Sequence, residues 1–541
     1  MESHDMVYLR RNVQIEPLVN YWYAWIHLLS PATAALNLTR RYLPIMKSFV
    51  ESPRTHAMAV ADPRMRGGPF IDLPEDRAEE VGQLVQDIEA HNPQILAFTE
   101  AVVQLHQLLE EKAQGYCLEP LYQEIPPLLR GYVELYYDMN NRPAFRFFEA
   151  MLYKSPFYMR DRQVIAFSKI EQDGDRPFIL STPTLPSRNA LQLPIPFDSP
   201  ALDELFKMKR APGSLKAIRE ALQVPEEHTE AFNSLFTTET PPAYEPYTGD
   251  HMRIRYFGHA CILVETKDVS ILIDPVLSYT YDSEVSRFTY DDLPDTIDYV
   301  LITHSHQDHI LMETMLQIRH KVRHIIVGRN IDGAIQDPSL ALLLKELNFT
   351  GVLEMRELET LDIPNGKITI LPFLGEHHDL HIASKLGYHI NLDGRSVLAL
   401  ADSCNIDPML YERIHPMVGD VDVLFIGMEC DGAPASWAYG PLFISPYTRD
   451  KDRSRRGRGS NYPEAIDIVN RFNCQQVYVY AMGQEPWLRH ILDLEHDDSS
   501  NPVIQAKKLI EDCESRNILA ENLFGEKEII PQTALKTTLI T

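Results

Sequence analysis

Cysteine is scarce in this chain: six in 541 residues, at positions 117, 261, 404, 430, 474 and 513, with no C-x-x-C pair. That scatter excludes a disulfide framework or a cysteine zinc ribbon, and it predicts free thiols in a reducing, cytoplasmic setting. No apolar run is long enough to span a bilayer. Glu2, Asp5, Arg10, Arg11 and Glu16 interrupt the first twenty residues, which predicts no secretion signal. Positive charge is also in short supply. Lys and Arg number 51 against 77 Asp and Glu, and the net charge of -26 argues against general binding of nucleic acid or an anionic membrane.

The remaining composition, 44% hydrophobic and 24% charged, is that of a globular protein. A chain of 541 residues exceeds one ordinary core, so at least two domains are expected. The row from Thr237 to Pro246, with Pro241, Pro242 and Pro246, reads as an extended linker. It divides the chain into residues 1–236, a linker at 237–250, and residues 251–541.

In the first part, Tyr21–Leu29 is rich in aromatic groups and is expected to anchor a helix in a core or in a contact between two copies of the chain. Acidic residues at 75–80 precede Val81, Leu84, Val85 and Ile88, which are spaced for one helical face. Pro93 restarts the pattern with Ile95, Val102, Leu105 and Leu109. Without a nucleotide loop or nucleophile motif, this part is expected to dock, gate or dimerise.

The second part carries the chemistry. His304, His306, Asp308 and His309 fall within six positions, after the β-branched run 297–303 and before the helical pattern 310–318. Four such ligands on one loop between strand and helix suggest two metal ions, with His304 and His306 turned toward one and Asp308 and His309 toward the other. Imidazole with carboxylate favours zinc, iron or manganese over calcium. Residues 252–266 and 269–275 read as two adjacent strands joined around Lys267 and Asp268. Further strands are expected at 324–327, 367–371, 397–401, 421–427 and 475–480, with helices at 311–319 and 463–471. That alternation predicts a layered α/β domain with helices outside a central pair of sheets. Its strand ends would bring Glu376, Asp402 and His490 toward the His304 cluster, with His259 and Glu429 in supporting roles.

Residues 252–500 resemble the metallo-β-lactamase superfamily, through HSHQDH at 304–309, FGHACILVET at 257–266, LIDP at 272–275 and LALADS at 398–403. The resemblance implies an αββα sandwich behind a separate mixed α/β N-terminal domain. It also implies His304 and His306 at one ion, Asp308, His309 and His490 at the second, and Asp402 bridging them. The third ligand of the first ion would be Glu376 or its neighbour His377.

The whole chain is more closely similar to the diiron β-hydroxylases that act on amino acids held on nonribosomal peptide synthetases, the family of the chloramphenicol biosynthesis enzyme. The similarity lies in total length, the long N-terminal part, HSHQDH, Glu376, ADS at 401–403 and EPWLRH at 485–490. It implies two iron ions, molecular oxygen as co-substrate, an external two-electron donor, an aminoacyl carrier domain as partner, and Glu376 and Asp402 in catalysis; Glu429, at the end of the apolar run 421–428, is expected to relay a proton or order metal-bound water. The other reading is a dinuclear zinc hydrolase of an ester, thioester, amide or phosphate. The arginine-rich stretch 448–460 is expected to form a mobile basic loop that meets the carrier, and Trp437, Tyr439, Phe443 and Tyr447 are candidate pocket aromatics.

Overall fold

The computed structural model describes residues 6–531 apart from 66, 175, 188, 189 and 446. Two seven-stranded sheets stack face to face in the second part of the chain. The first runs, edge to edge, through Val352–Met355, Val322–Gly328, Ile297–Leu301, Ser270–Ile273, Ile262–Glu265, Arg253–Tyr256 and Lys527–Ile529. The second runs through Thr360–Ile363, Gly366–Pro372, Leu386–Leu392, Arg395–Ala399, Val423–Gly427, Gln476–Tyr480 and Leu519–Asn522.

Strands 270–273, 297–301 and 322–328 pair in parallel. Where both faces are covered their residues are consecutive Ile, Leu and Val, at 271–273, 300–301 and 325–327, rather than alternating. Between the sheets, Ile254, Val264, Ile271 and Ile273 belong to one core with Ile368, Ile370, Tyr388, Ile390 and Phe425. The Tyr388 hydroxyl crosses that core to donate to the Ile302 carbonyl at 2.6 Å.

The run expected as one strand over 252–266 is two. Arg253–Tyr256 and Ile262–Glu265 pair antiparallel across a tight turn, with Gly258 at φ +105° and His259 at φ +52°. A Cβ at Gly258 would stand 2.6 Å from the Trp487 ring. Close packing therefore demands glycine here, and the turn that results swings His259 out of the sheet.

The two sheets are covered differently. Helices Pro408–Val418, Tyr462–Arg471 and Asn501–Ser515 seal the second through Ile414, Ile468, Val469 and Leu509. The first carries helices Met312–Ile318 and Leu340–Glu346, and beyond them lies the N-terminal domain. That domain has a four-stranded sheet built on Val13–Val19 and Gln163–Lys169, and helices Ala78–His91 and Pro93–Lys112. Its apolar core is continuous with the outer face of the first sheet, from Ile15 and Phe167 to Leu316, Leu263 and Val300. Within Tyr21–Leu29, Trp22 and Tyr23 form a strand and only Ile26–Leu29 is helical. Trp22, Tyr23 and Trp25 are buried, and Tyr21 is half-buried against the core. Among the described residues, no helix is long and apolar enough to cross a membrane.

Candidate metal centre

Loops from both sheets meet at one end of the sandwich. From the first sheet, strand Ile297–Leu301 runs into the loop 302–311, whose amides of His309 and Ile310 both donate to the His306 carbonyl at 3.1 Å. Strand Ser270–Ile273 ends at Asp274. From the second sheet, Gly366–Pro372 leads to Glu376 and Arg395–Ala399 leads to Asp402. The amide of Leu386 donates to the Thr303 carbonyl at 2.7 Å and ties the loop to the second sheet.

The structure brings six of the seven candidate ligands together. Asp402 Oδ2 stands 2.9 Å from His309 Nε2 and 3.7 Å from His304 Nε2. Asp308 Oδ2 lies 3.6 Å from His309 Nε2, and Glu376 Oε1 lies 3.2 Å from His306 Nδ1. Glu376 therefore faces His306, whereas His377 stacks on the His306 ring at 4.6 Å with both its nitrogens unpartnered. Two adjacent side chains diverge because the backbone reverses here. Gly375, Glu376, His378 and Asp379 all have positive φ, an arrangement that costs energy at non-glycine positions and clusters at functional sites.

His490 is placed differently. It is buried on helix Arg489–Leu492, which the Gln307 side-chain amide joins to the metal loop through the Ile491 carbonyl at 2.9 Å. Its Nε2 has no hydrogen-bond partner. The imidazole that touches Asp308 is instead His259, with Nε2 3.1 Å from Oδ2. His259 owes this position to Glu485 of the EPWLRH stretch, whose carboxylate accepts both the His259 amide at 3.0 Å and the Tyr256 hydroxyl. Glu429 is engaged with His496, 2.7 Å from its Nε2, and with the Gly432 amide.

A residue missed as a functional group by the sequence reading is Asp274. Fully buried, it accepts from the Thr303 amide at 2.8 Å and the Thr303 hydroxyl at 2.6 Å, and it holds His309 Nδ1 at 2.8 Å. This contact leaves His309 Nε2 facing Asp402. A carboxylate behind a ligating imidazole fixes its tautomer and strengthens it as a donor. The LIDP stretch was the available signal.

The electrostatics reflect crowding of acids and imidazoles in a dry site. Burial pushes the Glu376 carboxyl up to about 7; His306 opposes this, and Asp402 and Asp308 add to it. Burial works against a charged His309, yet Asp402, Asp308 and Asp274 hold its pKa well above the usual imidazole value. Burial and the neighbouring imidazoles His309, His306 and His377 drive His304 well below it.

The donor atoms fit metal ions. His304 Nε2, His309 Nε2, His490 Nε2 and Asp402 Oδ1 are buried without hydrogen-bond partners. Leaving each such group unsatisfied costs about 1–3 kcal/mol. Of these, His309 Nε2 and His304 Nε2 lie 2.9 and 3.7 Å from Asp402 Oδ2, an arrangement that a cation between them would satisfy. His304, His309 and Asp402 form one converging set and His259, Asp308 and His309 another.

The arginine-rich stretch departs from expectation. Arg449–Ser454 is a helix capped by Thr448, and Arg456–Gly457 pairs with Ala433–Pro434. Arg458 forms a two-pronged ion pair with Glu464 at 2.8 and 2.9 Å, and Arg455 Nε donates to the His378 carbonyl at 2.8 Å. These arginines fold the segment against the Glu376 turn rather than leaving it a loose loop. Of the aromatics, Tyr439 is buried beside His306, Trp437 stacks on Phe178, and Phe443 stacks on Tyr447.

An αββα sandwich with imidazoles and carboxylates gathered at its strand ends defines a dinuclear metal protein of the metallo-β-lactamase fold. Residues 253–430 match the β-lactamase superfamily domain, and residues 8–241 match the N-terminal domain of diiron non-heme β-hydroxylases. The chain is 38% identical to the 4-amino-L-phenylalanyl-[CmlP-peptidyl-carrier-protein] 3-hydroxylase of Streptomyces venezuelae, over 95% of its own length and 98% of that protein's. The crystal structure of CmlA, a diiron β-hydroxylase from Streptomyces venezuelae, superposes with a TM-score of 0.92 at 37% identity, covering 98% of this chain and all of that one. A CmlA variant with a glutamate-to-aspartate substitution gives a TM-score of 0.89 at 36% identity, covering 97% of this chain and all of that one. The chain belongs to the CmlA-like diiron β-hydroxylases, and its cofactor is a pair of iron ions.

Proposed function

We infer that this protein is an oxygen-dependent diiron monooxygenase that hydroxylates the β-carbon of an aminoacyl group tethered to a carrier domain of a nonribosomal peptide synthetase. The observation that carries the reading is Glu376 facing His306 in a chain that matches a carrier-dependent hydroxylase along almost its whole length. In this reading His304, His306, Glu376, Asp308, His309, His490 and Asp402 would hold the pair of irons. Bound there, the irons supply the reduction of oxygen, with one oxygen atom entering the Cβ–H bond and the other leaving as water at the expense of two external electrons and two protons.

The protein's own groups prepare that chemistry. A carboxylate at Glu376 adds negative charge and a hard oxygen donor, which suits oxidised iron better than a third imidazole would. Asp274 holds the proton on His309 Nδ1, so that Nε2 keeps its lone pair for the metal. His259, which converges with Asp308 and His309, orients the Asp308 carboxylate through its Nε2 at 3.1 Å. The buried walls, including Phe373 and Tyr439, limit water near the reacting groups. Glu429, paired with His496, is proposed to move protons at the edge of the site rather than to touch iron. An aminoacyl carrier domain and an external electron donor would be the protein's partners.

The test is turnover. Iron-loaded, reduced protein is exposed to oxygen with a panel of aminoacyl carrier proteins and followed by intact-protein mass spectrometry. The expected product gains one oxygen atom on the side chain of the tethered amino acid, with little reaction of the free acid. Hydrolytic release of the aminoacyl group without oxygen insertion would select the zinc-hydrolase chemistry instead.

A further inference from the structure

Tyr439 stands against the metal centre without belonging to the ligand set. It is 1% exposed, and its hydroxyl lies 3.3 Å from His306 Nε2, with no other hydrogen-bond partner among the described residues. On the far side of the same ring, Nδ1 faces Glu376. A metal ion shared by Nδ1 and Glu376 requires Nδ1 to be unprotonated. The ring proton then sits on Nε2, pointing at the tyrosine oxygen.

What holds Tyr439 there comes from the other domain. Tyr439 ends the short helix Ala435–Tyr439, which continues into the turn Gly440–Leu442. Arg40 donates to the carbonyls of Pro441 and Phe443, both at 2.8 Å. Arg41 donates to the carbonyls of Ser436, at 3.1 Å, and Trp437. Both arginines lie in a single π-helical turn, Leu38–Tyr42, set between α-helices. A π-turn re-aims successive side chains and recurs at functional sites. Here it presents two adjacent guanidinium groups to four carbonyls of one segment. His27, also from the N-terminal domain, packs edge-on against the Tyr439 ring at 5.6 Å. From the opposite side Asp452 accepts from the amide and hydroxyl of Ser436 at 2.8 and 2.7 Å.

We propose that Tyr439 is a positioning residue of the metal centre, accepting the Nε2 proton of His306 so that Nδ1 is free for iron, and that the N-terminal domain holds it in place through Arg40 and Arg41. The proposal rests on the reading of His306 as a ligand. It gives the N-terminal domain a part in building the centre, although that domain donates no ligand.

The experiment compares Tyr439→Phe, the double variant Arg40→Gln/Arg41→Gln and His306→Ala, each loaded with iron. Iron loss to a chelator and the Mössbauer spectrum are measured alongside the melting midpoint. Tyr439→Phe keeps the ring and removes the hydroxyl. It should release one of its two irons about tenfold faster than the parent and alter one of the two iron signatures, at an unchanged melting midpoint. The arginine pair should reproduce that one-iron signature. If His306→Ala loses an iron while Tyr439→Phe matches the parent in release and spectrum, the proposal is wrong and the ligand reading stands. If His306→Ala also keeps both irons, the ligand reading itself fails and takes the proposal with it. Should the arginine pair not fold, Tyr439→Phe decides alone.

Discussion

The two sheets contribute almost equally to the metal centre, yet they are buried in different ways. The second is sealed by three helices of its own, in a core confined to the sandwich. The first shares its outer core with the whole N-terminal domain. The comparison separates two jobs. Either sheet can offer ligands from its strand ends, but the first couples the loop that carries His304, His306, Asp308 and His309 to the N-terminal domain through a shared apolar core, whereas the second meets that domain through its loops, as at Tyr439.

The largest expected effect concerns the residue that joins the two halves. Asp402 comes from the second sheet and faces His304 and His309 of the first. Asp402→Ala should lose both irons and essentially all hydroxylation, measured as iron per chain and product formed. Retention of one tightly held iron would show the two halves to be independent.

Next is the pair of neighbours after strand Gly366–Pro372. Glu376→Ala should deplete one iron and reduce turnover by at least about a hundredfold, because it removes a metal donor rather than a group behind one. His377→Ala should keep both irons, since its ring stacks on His306 and neither of its nitrogens is hydrogen-bonded to a cluster carboxylate. The reverse pattern would reassign the ligand.

A core comparison sharpens the difference between the sheets. Leu316 lies in the core shared with the N-terminal domain and Leu509 in the core private to the second sheet, both fully buried. Each change to alanine should cost about 2–5 kcal/mol in chemical denaturation. Hydrogen exchange should then quicken in both the N-terminal domain and the sandwich for Leu316→Ala, and in the sandwich alone for Leu509→Ala.

The smallest effect is a pH dependence at the contact between domains. Glu149 of the N-terminal domain accepts from the Ser339 amide at 3.0 and 3.2 Å, at the start of helix Leu340–Glu346. Burial raises its carboxyl from 4.5 to about 7, opposed by the Ser339 amide and assisted by Asp337. The folded protein thus binds this proton more tightly than the unfolded chain. The resulting stability is present below about pH 4.5 and is lost as pH rises through about 7. Glu149→Gln should remove this dependence, so that its melting midpoint gains on the parent between pH 5 and pH 8 by on the order of 1–2 °C.

Much of the sandwich was legible in the sequence because buried parallel strands leave apolar, largely β-branched stretches, as at 300–303 and 423–426. The HSHQDH cluster was legible because ligands so dense on one loop have few other uses. Other features depended on partners far away in the chain. Gly258 alone hints at the turn that splits 252–266, and the reason glycine is needed there is the Trp487 ring more than two hundred positions later. Glu376 and His377 are equivalent as letters, and only the reversed backbone separates them. The arginines at 455–458 looked like a solvated charge run because their acceptors, the His378 carbonyl and Glu464, belong to other elements. Tyr439 with Arg40 and Arg41 had no local signature at all, being linked across about four hundred positions.

The measurement that bears most directly on the central claim is anomalous diffraction at the iron edge from crystals of iron-loaded protein. It should show two iron peaks at the open end of the sandwich, one within coordinating distance of His304, His306 and Glu376, the other of Asp308, His309 and His490, with Asp402 touching both. A single peak, or two peaks with His377 coordinated and Glu376 turned away, would contradict the centre described above.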